Sequence, residues 1–325
     1  MCKRMFVVTL TIGLFGSMLI QPALGKEYPI KPITIISREP PGGSIDILTR
    51  VVADIAPKYL GQPMVVANKP GASGSTAVGA VIASKPDGYT LMVNSSNYLA
   101  ITVLTQKIPF DPSFLVPIAS FMEFRHGFVV RSDAPWKTFV QFLDYGKKNP
   151  GKLRWCHVGR GGTEYLRTLL IFKKAGVEAI DVPYKGSPEK LVALLGGHVD
   201  GEVTVYGGVS SQVKAGKVRF LVFYNDRGYE DHPDVPNAKD LGFPDVAKFT
   251  QLVGIYAHKD TPGEIKKVLL SAFKKTYDDP EFKKRIDELG EAPRFEGPEA
   301  TMDVIKEGEE IGVPLIKELG LYIEK

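Results

Sequence analysis

The chain has 325 residues, 44% of them hydrophobic, and a formal net charge of +4 at pH 7. This length is sufficient for two domains, each with a large hydrophobic core. The near-neutral charge, the spread of basic residues along the chain and the lack of zinc-finger or RNA-binding aromatic motifs argue against nucleic acid as a partner.

The first 25 residues have the three-part pattern of a secretory signal peptide. Lys3 and Arg4 precede an apolar stretch over residues 5–20, and small residues come just before a polar segment. An uncleaved membrane anchor is the alternative, but the apolar stretch is short for a span of about 20 residues. We therefore predict a periplasmic mature chain that starts near Lys26, and its formal charge falls from +4 to +2 because two cations are removed.

Apolar runs of strand length alternate with amphipathic helical segments along the chain. This alternation predicts an α/β fold with mostly parallel sheets flanked by helices. The predicted strands are residues 33–36, 64–67, 90–93, 128–130, 153–158, 199–205, 218–223 and 252–257. The predicted helices are residues 45–59, 138–149, 164–175, 190–195, 262–278 and 281–289.

Two stretches, near residues 124–132 and 245–252, are candidate crossovers between two lobes. They predict two crossover strands as a hinge and a first lobe that is discontinuous in sequence. The expected first lobe comprises residues 27–127 plus 250–325, and the second comprises residues 128–249. No internal repeat or low-complexity segment is found in the sequence, which argues against a solenoid or a tail-bearing scaffold.

Residues 40–46, Pro-Pro-Gly-Gly-Ser-Ile-Asp, lie between the first predicted strand and the first predicted helix. A strand, a glycine turn and a helix start leave several backbone N–H groups unpaired and directed at one space, which suits an anion. A second turn of this kind, Gly-Arg-Gly-Gly-Thr at residues 159–163, follows another strand. Two such turns predict capture of an anion, although an ordinary tight turn without a ligand is the alternative for each.

Only Cys156 remains after the predicted processing, so the exported chain cannot form an internal disulfide. We expect Cys156 to be a buried strand residue. A thiol–base pair with His157 is disfavoured because neighbours in a strand point to opposite faces. The sequence has no evident trio of nucleophile, base and orienting residue, and its histidines lack zinc-ligand spacing. These observations predict a binding protein without catalytic residues, metal or cofactor.

Short turn motifs follow one another in a definite order along the mature chain. They are Tyr-Pro-Ile-Lys-Pro-Ile at 28–33, Pro-Gly-Gly at 41–43 with Asp46 and Arg50, Asn-Lys-Pro-Gly-Ala-Ser-Gly at 68–74, Lys-Pro-Asp-Gly-Tyr-Thr-Leu at 85–91, Asn-Pro-Gly-Lys-Leu at 149–153, Val-Pro-Tyr-Lys-Gly at 182–186, Leu-Gly-Gly-His-Val-Asp at 195–200, Lys-Ala-Gly-Lys-Val-Arg at 214–219 and Pro-Asp-Val-Pro at 233–236. Each motif alone is weakly specific. In their joint order and spacing they resemble the periplasmic solute-binding proteins of tripartite tricarboxylate transporters, the Bug or TctC family.

The resemblance implies a two-lobed periplasmic-binding-protein (Venus flytrap) fold that closes around a small di-, tri- or aromatic carboxylate. It also implies that the protein delivers this ligand to the membrane permease subunits of a tripartite transporter. In the family pattern, the carboxylate is held by the backbone amides and ordered waters of two loops, which correspond to residues 40–46 and 157–165. We expect a monomer. A flytrap receptor for an amino acid, a phosphonate or a cationic cofactor, and a sensory protein that presents its ligand to a membrane kinase, are the alternatives.

Candidate ligand contacts lie in the two loops and after other strands, where open α/β sheets place their ligand crevice. We expect Gly42 and Gly43 to permit close approach of a ligand and Ser44 to cap the helix. Asp46 is expected to accept N–H bonds and order the loop, because a carboxylate beside a bound anion is repulsive. The full set of candidates is Pro41, Gly42, Gly43, Ser44, Asp46, Asn94, Ser95, His157, Gly159, Arg160, Gly161, Gly162, Thr163, Tyr184 and Tyr206.

The chain departs from the family pattern in both loops. Arg38 and Glu39 precede the prolines where family members are usually apolar, and His157 and Val158 stand where the second loop usually begins with two serines. These changes indicate altered ligand chemistry, such as a larger, aromatic or more highly charged acid. Arg160 is either a partner of the ligand carboxylate or a solvated loop charge, and the sequence leaves both open.

Overall fold

The computed structural model describes residues 28–184 and 186–324, so the predicted signal peptide and its processing site lie outside the described residues. The strands are β1 Ile33–Ser37, β2 Met64–Asn68, β3 Thr90–Ser95, β4 Leu115–Glu123, β5 His126–Arg131, β6 Arg154–His157, β7 Ile180–Pro183, β8 Gly201–Val205, β9 Val218–Phe223, β10 Leu252–His258 and β11 Ala292–Glu296. The helices are α1 Ser44–Ile55, α2 Pro57–Leu60, α3 Ser75–Ile82, α4 Ser96–Ala100, α5 Phe139–Lys148, α6 Thr163–Ala175, α7 Ser187–Leu195, α8 Tyr206–Lys214, α9 Pro244–Lys248, α10 Gly263–Asp278, α11 Pro280–Glu288 and α12 Pro298–Glu318.

The strands form two sheets, and each sheet is the centre of one α/β domain. The first sheet has the order β11-β4-β10-β3-β1-β2, and the second has the order β7-β6-β8-β5-β9. In the first sheet, β1 pairs in parallel with β2 and β3. In the second sheet, β6 pairs in parallel with β7 and β8. Each domain therefore contains a parallel strand–helix unit, and the two predicted glycine loops follow its central strand.

The α/β two-domain fold is confirmed, but the prediction of mostly parallel sheets is wrong in detail because both sheets are mixed. Strand β10 runs antiparallel to β3 and β4, and β5 runs antiparallel to β8 and β9. β5 and β10 are the first strands after the two places where the chain crosses from one sheet to the other. The expected boundary after residue 127 falls inside β5, whose first residue, His126, already pairs with the second sheet.

Apolar side chains cover both faces of each sheet. One cluster includes Ile35, Leu48 and Phe121 on one face of the first sheet. A second, smaller cluster around Val129 and Val209 covers one face of the second sheet. The largest cluster is shared between the domains, since Leu315 and Ile316 of α12 belong to it together with residues of α6. A search of the described residues for a helix that could span a membrane finds none. The glycine loops thus follow strands whose last residues are buried.

Candidate functional site

A cavity of about 720 Å³ lies between the two domains. Its walls come from the loops that precede α1 and α3 in the first domain and from those that precede α6 and α7 in the second. The lining residues are Arg38, Glu39, Pro40, Pro70, Gly71, Ser73, Gly74, Thr102, Thr105, Val158, Gly159, Arg160, Gly161, Gly162, Gly186 and Ser187. The two predicted glycine loops therefore meet at one crevice.

Three helices begin at the wall of this cavity. Their N-cap residues are Gly74 for α3, Gly162 for α6 and Gly186 for α7. Because glycine has no side chain, none of these three N-cap residues can supply a side-chain acceptor to the first turn of its helix. The first turn of a helix carries N–H groups without intrahelical acceptors and the positive end of the helix dipole. The cavity wall is consequently rich in backbone donors and electrostatically suited to an anion.

The two predicted loops have nearly the same backbone. Gly42 and Gly161 both have φ of +88°, a conformation that favours glycine because it has no Cβ. The following residues, Gly43 and Gly162, are N-caps with φ of −71° in both loops and ψ of 157° and 153°. Similar backbone geometry gives each domain the same type of strand-to-helix turn.

Asp46 holds the first loop in place. Its carboxylate accepts a hydrogen bond from the Gly42 N–H at 2.9 Å, two from Arg50 and one from Asn68. Burial tends to raise the pKa of Asp46, but the hydrogen bonds from Arg50, Asn68 and Gly42 outweigh it, so the pKa lies below its usual value. Asp46 is buried and charged, and its bond from the Gly42 N–H joins the loop to the first turn of α1.

His157 and Asp181 hold the second loop. The buried His157 ring accepts the Gly159 N–H on Nδ1 at 3.0 Å, so in the neutral ring Nε2 carries the proton and donates to Asp181 at 3.1 Å. Burial lowers the pKa of His157, which keeps this tautomer uncharged near neutral pH. Asp181 also accepts two bonds from Arg160, at 2.9 and 3.0 Å, and these lower its pKa against the opposing effect of burial.

The remaining sequence candidates lie in several places. Gly159, Arg160, Gly161 and Gly162 line the cavity, and Pro41 and Thr163 are each next to a lining residue in the sequence. Gly42, Gly43 and Ser44 follow Pro40 but are not among the lining residues. Asn94 and Ser95 are buried at the end of β3, where Asn94 accepts the Ser95 N–H. Tyr184 lines a separate surface groove with Pro188 and His198. Tyr206 is buried, with its ring 4.3 Å from the Arg125 guanidinium at a crossover.

Several lining residues were not among the sequence candidates. Residues 70–74 form a third glycine-rich turn before α3, and Gly186 with Ser187 forms a fourth at the start of α7. The second of these lies in the 182–187 loop, which the sequence already indicates as a possible wall of the pocket. The sequence does contain a signal for both, since each has small residues directly before an apolar helical segment. Arg38 and Glu39, recognised only as departures from a family pattern, also line the cavity.

A family model and a curated relative both match most of this chain. The family described as "Tripartite tricarboxylate transporter family receptor" matches residues 48–321. A relative from Cupriavidus necator, named as a UPF0065 protein in the gbd 5' region, is 34% identical over 303 residues, which are 92% of this chain and 90% of the relative.

Solved structures have the same fold over most of their length. A TctC solute-binding protein from Polaromonas, without ligand, is similar with a TM-score of 0.79 and 28% identity, covering 90% of this chain and 99% of that protein. MatC from Rhodopseudomonas palustris, solved with bound malate, is similar with a TM-score of 0.69 and 27% identity, covering 88% of this chain and all (100%) of that protein.

Proposed function

Because the chain belongs to the tripartite tricarboxylate transporter receptor family, we propose that it captures a small carboxylate in the cavity between its domains. In this proposal the protein acts in the periplasm after removal of residues 1–25, as a monomer, and delivers its ligand to the membrane permease subunits of a tripartite transporter. It binds this ligand without chemical turnover, since the family is one of solute-binding receptors.

One observation carries the proposal. The helices α3, α6 and α7 begin at one cavity between the domains, with glycine N-caps that bring backbone N–H groups close to its surface. An anion at a single helix N-terminus gains about 0.3 to 2 kcal/mol, and several termini around one space add to this attraction. The relative with bound malate, MatC, supports a carboxylate as the ligand class.

The shared cavity wall also connects binding with domain closure. Residues of the first domain, such as Thr105, and residues of the second, such as Gly161, line the same space. A ligand that contacts both walls stabilises the arrangement in which they are close together, so its binding energy contributes to closure. This is the property that a receptor needs if a membrane partner is to distinguish its loaded form.

Isothermal titration calorimetry tests the ligand class. The purified mature protein is titrated with malate, with longer dicarboxylates, with tricarboxylates and with aromatic acids, and in parallel with the amides of the same acids and with amino acids and amines. We expect saturable binding of at least one acid and no binding of its amide. Binding of amines or amino acids but of no acid would refute the proposal.

Uptake measurements test the delivery step. Cells that lack this receptor should lose uptake of the radiolabelled acid identified by calorimetry, and the gene supplied in trans should restore it. A receptor that lacks residues 1–25 should remain in the cytoplasm and fail to restore uptake. Normal uptake in cells without the receptor would separate acid binding from transport and favour a sensory role.

A further inference from the structure

The first loop already contains a carboxylate of the chain itself. The Glu39 Oε2 atom accepts a hydrogen bond from the Ile45 N–H, in the first turn of α1, at 2.9 Å. This is the type of amide that an N-cap side chain normally satisfies, and the N-cap here, Gly43, has no side chain. A Cβ at position 43 would lie 2.4 Å from Glu39 Oε2, so the glycine is needed for the carboxylate to reach the amide.

Glu39 is also held through its backbone. Its carbonyl oxygen accepts a bond from Asn68 at 2.9 Å, and its N–H donates to the Ser37 hydroxyl at 3.2 Å. The neighbouring amides of the loop are used as well, since Gly42 donates to Asp46 and Gly43 donates to the Pro40 carbonyl. An anionic ligand would therefore have to displace Glu39 to use the N-terminus of α1.

The second loop differs at the corresponding position. With Gly42 and Gly161 aligned by their shared backbone angles, the counterpart of Glu39 is Val158, which is 44% exposed. A Cβ at Gly162, the counterpart of Gly43, would meet only the Gly159 carbonyl oxygen, at 3.6 Å, among the described atoms. The N-terminus of α6 thus remains open to a ligand.

Arg38, next to Glu39, is a cation without a bonded partner. No hydrogen bond or ion pair to its guanidinium is found within residues 28–184 and 186–324, and its Nε atom is buried without an acceptor. Burial lowers the pKa of Arg38, against the opposing influence of Glu39, Tyr98 and Tyr256. Arg38 as a whole is half-buried and lines the cavity, so its guanidinium is partly withdrawn from water without an acceptor. This arrangement has a desolvation cost, which an anion beside the guanidinium would offset.

The position of Arg38 adds to this cost. A Cβ placed on Gly74 would be 3.0 Å from Arg38 Cδ and 3.3 Å from Nη1, so the guanidinium lies at the N-terminus of α3. A cation at this end of a helix is opposed by the helix dipole. Arg38 and the α3 N-terminus therefore form one positively charged corner of the cavity, and a carboxylate there would satisfy both.

We propose that Arg38, rather than the amides of the first glycine loop, binds the ligand carboxylate on the side of the first domain. The Gly42, Gly43 and Ile45 amides of that loop already donate to acceptors of the chain itself. This inference rests on the proposed function and identifies the residue that determines its specificity. The second domain retains the open α6 terminus. Arg38 offers parallel N–H donors that match a planar carboxylate, a geometry that lysine lacks.

Calorimetry on three variants tests this assignment with the acid that the wild-type protein binds most tightly. Arg38→Met should weaken binding by about 10- to 100-fold, the range for loss of a charge-assisted hydrogen bond. Arg38→Lys should weaken it less, because the charge remains while the paired donors are lost. Arg131→Met is the matched control and should change binding less than about 3-fold, because Arg131 pairs with Asp133, is partly exposed and does not line the cavity.

A rescue experiment separates a direct contact from a structural role. Glu39→Ala frees the Ile45 amide for the ligand. The double variant Arg38→Met with Glu39→Ala should therefore bind the acid about 10-fold more tightly than Arg38→Met alone, a gain within the range for an anion at a helix N-terminus. Urea denaturation of the ligand-free proteins is the second measurement. Arg38→Met should unfold at the same urea concentration as wild type or a higher one, since it removes a half-buried charge whose Nε has no acceptor among the described residues.

The outcomes distinguish the two proposals. A wild-type protein that binds acids, together with an Arg38→Met variant of unchanged affinity, refutes the role of Arg38 and leaves the proposed function intact. A wild-type protein that binds no acid refutes both. If Arg38→Met does not fold, the Arg38→Lys variant decides, because wild-type affinity in that protein would contradict recognition by the guanidinium fork.

Discussion

Substitution of Gly43 and Gly162 by alanine should have opposite consequences, although the two residues have nearly the same backbone angles. In Gly43→Ala the new methyl group would lie 2.4 Å from Glu39 Oε2 and 3.0 Å from Glu39 Cβ, so the Glu39 side chain must leave the Ile45 amide. Loss of a capping acceptor costs about 0.5 to 2 kcal/mol. In Gly162→Ala the methyl group would meet nothing closer than 3.6 Å among the described atoms.

Both substitutions also reduce the freedom of the unfolded chain, which stabilises the fold by about 0.4 to 1 kcal/mol where the backbone angles suit alanine. We therefore expect Gly43→Ala to lower the free energy of unfolding by about 1 kcal/mol and Gly162→Ala to leave it unchanged or slightly higher. Ligand affinity should show the reverse order, because the methyl group of Gly162→Ala projects into the open α6 terminus. Urea denaturation and calorimetry measure the two quantities on the same samples.

The double variant Gly43→Ala with Glu39→Ala provides the decisive control. Once the Glu39 carboxylate is absent, the methyl group at position 43 has no capping acceptor to displace and meets only the retained Cβ of residue 39, at 3.0 Å. It should therefore cost less stability than it does in the presence of Glu39. An equal loss in the presence and absence of Glu39 would refute the interpretation of Glu39 as the cap of α1. So would a Gly162→Ala variant that loses as much stability as Gly43→Ala.

Two further predictions concern buried carboxyl groups. Asp46→Asn should lower the free energy of unfolding at pH 7 by about 1 to 3 kcal/mol. The Asp46 contribution is present above the unfolded pKa of about 3.9 and is lost as pH falls through the lower folded pKa, so acid denaturation curves of wild type and variant should converge at low pH. Burial raises the pKa of Glu202 from 4.5 to about 7. The free energy of unfolding of the wild-type protein should therefore fall by about 3 kcal/mol as pH rises from the unfolded to the folded pKa. Urea titrations at pH 5 and pH 8 should show this fall for wild type but not for Glu202→Gln.

The sequence was sufficient to predict elements whose hydrophobic pattern is local. The predicted strand at residues 33–36 corresponds to Ile33–Ser37, and the predicted helix at 164–175 corresponds to Thr163–Ala175. The strand Leu115–Glu123 was missed, since its buried residues do not alternate with polar ones and Pro117 interrupts the run. The sequence also does not predict the strand directions in the mixed sheets, because strand pairing depends on contacts between segments that are distant in sequence.

The candidate site shows the same limit. Glycine spacing was enough to predict both loops, because a positive φ at Gly42 and Gly161 has a direct sequence signature. The partners of charged side chains have no such signature. Nothing in the order of residues pairs Arg160 with Asp181, or directs Glu39 to the Ile45 amide while Arg38 stays without a partner. These pairings depend on the folded positions of loops that follow different strands.

The unequal contents of two similar loops have a consequence for selectivity. A helix N-terminus attracts an anion mainly through charge and single N–H groups, so the open α6 terminus should accept many kinds of anion. A guanidinium presents donors in a fixed plane and matches a carboxylate at two points. If Arg38 binds the ligand, discrimination between carboxylates and other anions depends chiefly on the first domain. The second domain then supplies an electrostatic attraction that stabilises the closed arrangement. An anion that does not fit the guanidinium would bind the second domain alone and would not stabilise closure.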